Sequence, residues 1–197
     1  TLKAIEWLTP IGRGSRAVIV GSARSGKTET LRRIASALFG REGIELTLVL
    51  AGVRPEETAE WKVGPVMPSA ALTFAASPDS QGQAVEAAVD TAKRIAARGG
   101  HAVLLIDGLD GMHPHAARKA LAAARNILDG GSLTILATAT KPFGGETTVI
   151  ALDAVLAGTG KLPALDLVHS GTLKPELLVG EDGATEIVRA RAAAAEV

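Results

Sequence analysis

Apolar residues along the chain alternate between two rhythms. Short unbroken apolar runs edged by glycine or charge occur at Arg16 to Gly21, Glu45 to Val53, Ala102 to Asp107 and Leu133 to Ala139. Runs of that length and make-up predict strands buried on both faces. Between them the apolar residues recur at helical spacing. From Lys27, residues Leu31, Ile34, Ala35 and Leu38 share one side, Arg32 and Arg33 take the other, and Gly40 is the stop. A second helix is expected over Gln81 to Ala97, closing at Gly99-Gly100, and a third over His115 to Leu128, ending in Asp129-Gly130-Gly131. The stretch between the second strand and Gln81 is poorly patterned, with a short strand near Leu72 to Ala75. Strands alternating with helices predict an α/β fold: a mainly parallel twisted sheet with helices on both faces.

The last quarter has a different texture. A helix is expected over Thr148 to Ala157, ending in Gly158-Thr159-Gly160, with short strands at Leu165 to Val168 and Leu177 to Val179. Glu181-Asp182-Gly183-Ala184 has the composition of a hairpin turn leading into Glu186 to Arg189. These pieces are expected to be a short β extension of one sheet edge within a single domain, residues 1–197. Residues 1–9 are a lead-in, and the Ala-rich residues 190–197 are expected to fray.

Composition narrows the function. At 197 residues, with 47% hydrophobic and 21% charged positions, the chain has enough apolar content for a packed core. Its 21 basic residues balance 21 acidic ones, so no global field draws in nucleic acid or an anionic membrane, and a polyanion must be held by a local site. Without cysteine there is no disulfide framework or thiolate chemistry, which fits a reducing, cytoplasmic setting. No apolar run approaches the roughly 20 residues of a membrane span, and the start lacks the profile of a secretion signal. Because the chain opens on Thr1, a preceding segment of a longer product is expected.

That local site has a clear candidate. Gly21-Ser22-Ala23-Arg24-Ser25-Gly26-Lys27-Thr28 matches G-x-x-x-x-G-K-S/T between a predicted strand and a predicted helix. Glycines there let successive backbone N–H groups turn inward around phosphate oxygens, and the helix end adds its unpaired N–H groups and dipole. Lys27 would reach the β- and γ-phosphates, and the Thr28 hydroxyl would ligate Mg²⁺. Asp107, closing the apolar run Val103 to Ile106, would orient the Mg²⁺ shell, largely through water. The alternatives are a glycine-rich turn that binds nothing and an ordinary strand-terminal Asp.

Wider stretches carry a resemblance. Pro10-Ile11-Gly12-Arg13-Gly14, Arg54-Pro55-Glu56-Glu57, Ala123-Ala124-Arg125-Asn126 with Gly130 to Ala139, Gly158-Thr159-Gly160 and Ser170 to Leu178 together resemble the RecA-like ATPase domain of bacterial transcription termination factor Rho. The likeness runs in order from about Thr9 to Val179. It implies a RecA-like P-loop NTPase fold, ATP or ADP with Mg²⁺ as ligands, and a nucleotide site of Gly21, Ser22, Ala23, Arg24, Ser25, Gly26, Lys27, Thr28, Glu29 and Leu162. Rho-like proteins are homohexameric rings that spend ATP to pull RNA through the centre.

The departures fall on the working residues. Where the family reads D-E-R-P-E-E and its first Glu activates the attacking water, this chain has Val53. Loss of such base assistance costs about 10²–10⁴-fold in rate. The arginine-finger position is Leu173, a lever worth roughly 10³–10⁵-fold in related phosphoryl transfers. The segment after the Walker B strand is cut to Gly108 through Pro114, and the pore lysine of a second loop falls near Gly145, beside Lys141 and Glu146. The aromatic that stacks on adenine corresponds to Leu162.

The resemblance with its departures implies a nucleotide-binding or regulatory module with weak or absent hydrolysis, weak RNA binding and a monomeric or low-order oligomeric state. Two alternatives stay open: an active RNA-dependent ATPase or translocase, and an interaction protein with a vestigial P-loop. Arg54 is a candidate γ-phosphate contact or a partner of Glu56 or Glu57. Asp110 reads as a turn residue sooner than a relocated base, His113 and His115 as loop and helix-start residues, and His169 as a neighbour-facing contact. Trp7 and Trp61 are expected in the core or at an interface.

Overall fold

The structure, a computed structural model, describes residues 2–195. Helix α1 (Leu2–Leu8) precedes strand β1 (Arg16–Val20), and α2 (Lys27–Leu38) follows the glycine-rich turn. Next come β2 (Glu45–Val53), α3 (Pro55–Val63), β3 (Ala70–Thr73), α4 (Pro78–Ala97) and β4 (His101–Asp107). The rest is α5 (Pro114–Leu121), β5 (Arg125–Asn126), β6 (Ser132–Ala139), β7 (Thr148–Ala151), α6 (Ala154–Gly158), β8 (Gly171–Thr172) and α7 (Glu176–Ala195). The strands form one eight-stranded sheet in the order β3-β2-β4-β6-β1-β7-β8, with β5 paired to β6 off that path. All pairings are parallel except β5 with β6 and β7 with β8.

The double-sided burial that the apolar runs predict is what the sheet shows. On one face Val18, Val49, Leu104 and Ile106 pack against Val85, Val89 and Ala92 of α4 and Leu121 of α5. On the other, Ile19, Leu48, Leu50 and Leu105 pack against Leu31 and Ala35 of α2 and Trp61 of α3. Helix α4 begins where Ser77 accepts a hydrogen bond from the Ser80 N–H and Pro78 takes the first helical position. Helices on both faces leave the turns after β1, β2, β4 and β6 together at the carboxyl edge of the sheet, the place where such folds hold ligands.

Several expectations are corrected. The poorly patterned stretch contains α3, which buries only Trp61 and therefore carries no apolar stripe. The helix expected over His115 to Leu128 stops at Leu121, and Arg125–Asn126 turns back to pair with Ser132 and Leu133. This turn is packed tightly: a β-carbon at Gly14, whose φ is +79°, would lie 2.7 Å from the Asn126 nitrogen. Thr148 to Ala151 is a strand, because its β-branched residues fill the slot beside β1, and only Ala154–Gly158 is helical, capped by Asp153.

Leu165 to Val168 is a turn with a single bridge from Leu165 to Leu152. Leu177 to Val179, the expected hairpin at Glu181 and the stretch Glu186 to Arg189 all lie in α7, which breaks at Gly180. Alanine-rich sequence favours helix there, and Ile187 is buried. The edge extension exists, but β7 and β8 build it. Residues 190–195, expected to fray, are helical, and 196–197 lie outside the described residues.

Candidate functional site

The turn from β1 into α2 is shaped by two left-handed residues, Arg24 at φ 65° and Gly26 at φ 85°, the second being the N-cap of α2. The turn is tight on both sides. A β-carbon at Gly21 would press on Ser25 Oγ and come within 2.7 Å of the Leu152 carbonyl oxygen. One at Gly26 would meet Leu162 Cδ2 at 2.8 Å. Left-handed backbone at Arg24 and Gly26, with no room for a β-carbon at Gly21 or Gly26, curls the turn ahead of the N-terminus of α2.

Two polar groups in the curl await a partner or hold a makeshift one. Ser25 Oγ is buried with no hydrogen-bond partner among the described residues. Lys27 Nζ folds back on the loop, donating to Gly21 O at 2.7 Å and Ser22 O at 2.9 Å. Burial pulls the Lys27 ammonium below the usual amine range, against the upward pull of Asp110, Asp107 and Glu57. An ammonium that donates to two neutral carbonyls at the N-terminus of a helix can exchange them for the oxygens of an anion.

Asp107 ends β4 on the α2 side of the sheet and is almost fully buried. Its Oδ1 accepts from Thr138 Oγ1 at 2.8 Å and from Thr28 Oγ1 at 3.3 Å, and its Oδ2 from Trp61 Nε1 at 3.0 Å. Thr28 and Asp107, paired on sequence grounds as the cation-holding groups, are thus in contact across 79 residues of chain. Burial raises the Asp107 pKa, the hydrogen bonds from Trp61 and Thr138 oppose it, and the charge of Glu57 adds to the rise. The folded pKa lies above the unfolded one, so this carboxylate costs stability once the pH rises past the ordinary carboxylate range. Asp107→Asn is therefore expected to raise the melting temperature of the ligand-free protein at pH 7, by about 2–4 °C per kcal/mol recovered. The gain should vanish toward pH 3, and a variant that melts lower at pH 7 would contradict the assignment of strain to that charge.

The other expected residues are placed as follows. Leu162 lies against Gly26, and its carbonyl accepts from Arg33 Nη1 at 3.0 Å, so the expected base-contacting position does reach the loop. Ser22, Ala23 and Arg24 are exposed at the loop tip. Glu29 is turned along α2 to Arg32 and Arg33, at 2.6 and 2.7 Å. Val53 is buried at the end of β2 in the cluster that contains Trp61. Arg54 caps α3 and is tied to Glu57, with its N–H at 2.9 Å and its Nη2 at 2.8 Å, and stands 3.8 Å from Glu56.

Asp110 accepts from the Thr140 N–H and hydroxyl at 3.0 and 2.9 Å. His113 lies 3.4 Å from Asp79 ahead of α5, His115 is exposed in its first turn, and His169 pairs with Asp166 at 2.7 Å. Leu173 sits after β8, exposed and two strands away from β1. Lys141 is exposed, and Glu146 accepts from the Phe143 N–H. Sequence reasoning missed Thr138 and the polar use of Trp61; the available signal was that a buried indole N–H needs an acceptor.

No family model matches the chain. In sequence it is 33% identical over 218 residues to transcription termination factor Rho of Mycobacterium tuberculosis, which covers 92% of this chain and 36% of that protein. It is 33% identical over 215 residues to Rho of Streptosporangium roseum, covering 91% of this chain and 56% of the relative. Rho of Borreliella burgdorferi is 29% identical over 225 residues, with 96% of this chain and 44% of the relative covered. The chain thus spans between about a third and just over half of the length of these relatives. A solved structure, an ATPase from the type III secretion system of pathogenic bacteria, superposes with a TM-score of 0.78 at 20% identity, covering 96% of this chain and 65% of that one. In fold the chain is a RecA-like domain, and in sequence it resembles the ATPase domain of bacterial transcription termination factor Rho.

Proposed function

We propose that this domain binds ATP or ADP together with Mg²⁺ and hydrolyses ATP slowly or not at all, acting as a nucleotide-binding or regulatory module rather than a motor. One observation carries the reading: a buried valine, Val53, ends β2 where the resembled family places its water-activating glutamate, while the turn after β1 retains the glycines of the motif and its left-handed backbone at Arg24 and Gly26.

The binding half rests on the curl of the loop, the orphan Ser25 hydroxyl and the self-paired Lys27. Lys27 would leave the Gly21 and Ser22 carbonyls for phosphate oxygens. Thr28 would offer a lone pair to the cation while its hydroxyl keeps donating its hydrogen bond to Asp107. Thr28 and Asp107 would hold a Mg²⁺ ion, which would supply charge neutralisation to the phosphates.

The silent half rests on what surrounds the γ end. The Val53 isopropyl group has no lone pair with which to orient or deprotonate water. Besides Asp107, the carboxylates that act on Lys27 are Asp110 and Glu57, and both are committed, one to Thr140 and the other to Arg54. Leu173 likewise has no charge to offer a neighbour's nucleotide, which removes a tie between subunits and favours a monomer or small oligomer, read directly by light scattering. With formal charges balanced, RNA should bind weakly and with a shallow salt slope.

The test is steady-state ATP turnover measured with and without RNA, alongside calorimetric titration of Mg–ATP and Mg–ADP. Saturable binding with turnover indistinguishable from blank, RNA present or absent, is expected. Turnover that rises severalfold on adding RNA would show a working RNA-dependent ATPase instead, and no heat of binding would leave the loop a vestige.

A further inference from the structure

The geometry points to Trp61 as a positioning residue for the divalent cation: its indole N–H fixes the Asp107 carboxylate so that Oδ1 is the oxygen presented to Thr28. This rests on the Mg–nucleotide reading of the same site.

A carboxylate is symmetrical about its own axis, and a buried one can exchange its oxygens unless each is tied. Here each is tied by a different donor. Trp61 Nε1 donates to Oδ2 at 3.0 Å from a side chain that is only 2% exposed. Thr138 Oγ1 donates to Oδ1 at 2.8 Å and is itself held by the Gly108 N–H at 2.8 Å. The remaining contact, Thr28 Oγ1 to Oδ1, is the longest at 3.3 Å and joins the two groups expected to face the cation. Two firm ties hold the carboxylate and one loose contact is left on the working side.

Packing alone does not account for this arrangement. The ring of Trp61 fills space among Val53, Val66 and Leu105, a role any large apolar side chain could serve. The N–H is different: it points at the one buried carboxylate of the site, brought within reach by α3, whose first residue follows β2 by a single position. Removing the donor leaves Oδ2 of a buried anion without a partner, and the cheapest relief is for Asp107 to rotate and share Thr138 between its oxygens. Partners of this kind, one step removed from the metal, typically affect affinity by about 10–100-fold when lost.

The experiment measures ADP affinity with Mg²⁺ and with excess EDTA, for the native protein and for Trp61→Phe, which keeps a ring and drops the donor. The native protein is expected to bind ADP more tightly with Mg²⁺. Trp61→Phe is expected to lose about tenfold or more of that Mg²⁺-dependent gain while its affinity in EDTA stays within about twofold. An unchanged gain, or an equal loss in both conditions, would overturn the proposal, the second outcome being that of a merely structural residue.

Should Trp61→Phe fail to fold, a Trp7→Phe protein gives an independent answer. Trp7 is 65% exposed and is the only other tryptophan, so its removal leaves Trp61 as the sole emitter. Emission is expected to shift when Mg²⁺ is added to the ADP-bound protein and to stay constant when ADP is added in EDTA; no response to Mg²⁺ would overturn the proposal. Native protein that binds no ADP at all overturns this inference and the nucleotide reading together, whereas tight Mg–ADP binding with the gain retained in Trp61→Phe overturns this one alone.

Discussion

Replacing Lys27 by alanine is expected to weaken Mg–ATP binding by roughly a hundredfold, as read by titration of a fluorescent ATP analogue. The magnitude follows from what the ammonium gives up and gains. In the ligand-free site it donates to two loop carbonyls, at 2.7 and 2.9 Å, and it is partly desolvated while doing so. Exchanging neutral carbonyls for charged phosphate oxygens is worth about 1.5–3 kcal/mol per hydrogen bond, and a net gain near the upper end corresponds to that factor. The loop itself should survive the change, because the left-handed residues Arg24 and Gly26 and the glycine at 21, where no β-carbon would fit, are left as they are. A small change in melting temperature is therefore expected beside the large change in affinity. Affinity within threefold of the native protein would mean that the curl does not hold phosphate.

The second large effect runs in the opposite direction. Val53→Glu is expected to raise ATP turnover by about 10²-fold or more, toward the range that general-base assistance supplies. Position 53 is well chosen for such a group, since it ends β2 beside the strand that ends in Asp107 and opens into the capped start of α3. The same change should cost stability. Val53 is only 5% exposed, and a carboxylate there enters an apolar cluster, which costs more than the ~1–3 kcal/mol of burying a neutral polar group. A lower melting temperature with faster turnover is the expected pair of results. Unchanged turnover in a variant that still binds Mg–ATP would show that the missing base is not what silences the site.

The sheet and the glycine-rich turn were legible in the sequence because each leaves a local signature. Arg16 to Val20, Glu45 to Val53 and Ser132 to Ala139 are buried on both faces, and such strands announce themselves as continuous apolar runs. The loop is written in eight consecutive residues. Helix α3 was hidden because a helix that buries one side chain has no period to detect, although Pro55 and Glu57 mark its first turn. Thr148 to Ala151 reads equally well as helix or strand, and only the slot beside β1 decides it. In α7, Gly180 marks a real break at φ 73°, but the chain resumes as helix instead of a hairpin, and Gly183 imitates a turn signal inside sequence that contact with α1 and alanine content hold helical. Of the site, Asp107 could be placed by its strand and Thr28 by its motif. Trp61 could not, because 46 residues separate it from the carboxylate and no spacing rule links them.

Retention of intact ATP is what we expect if the turn after β1 takes up a triphosphate while Val53 leaves water unactivated. Its most direct test is to load the native protein with γ-labelled ATP and Mg²⁺, remove free nucleotide, and follow the label through a single turnover at neutral pH. The label is expected to stay on ATP for as long as the nucleotide remains bound, with release of intact ATP as the only loss. Conversion of the bound ATP to ADP and phosphate within seconds would contradict this, because the Val53 side chain has no lone pair with which to activate water.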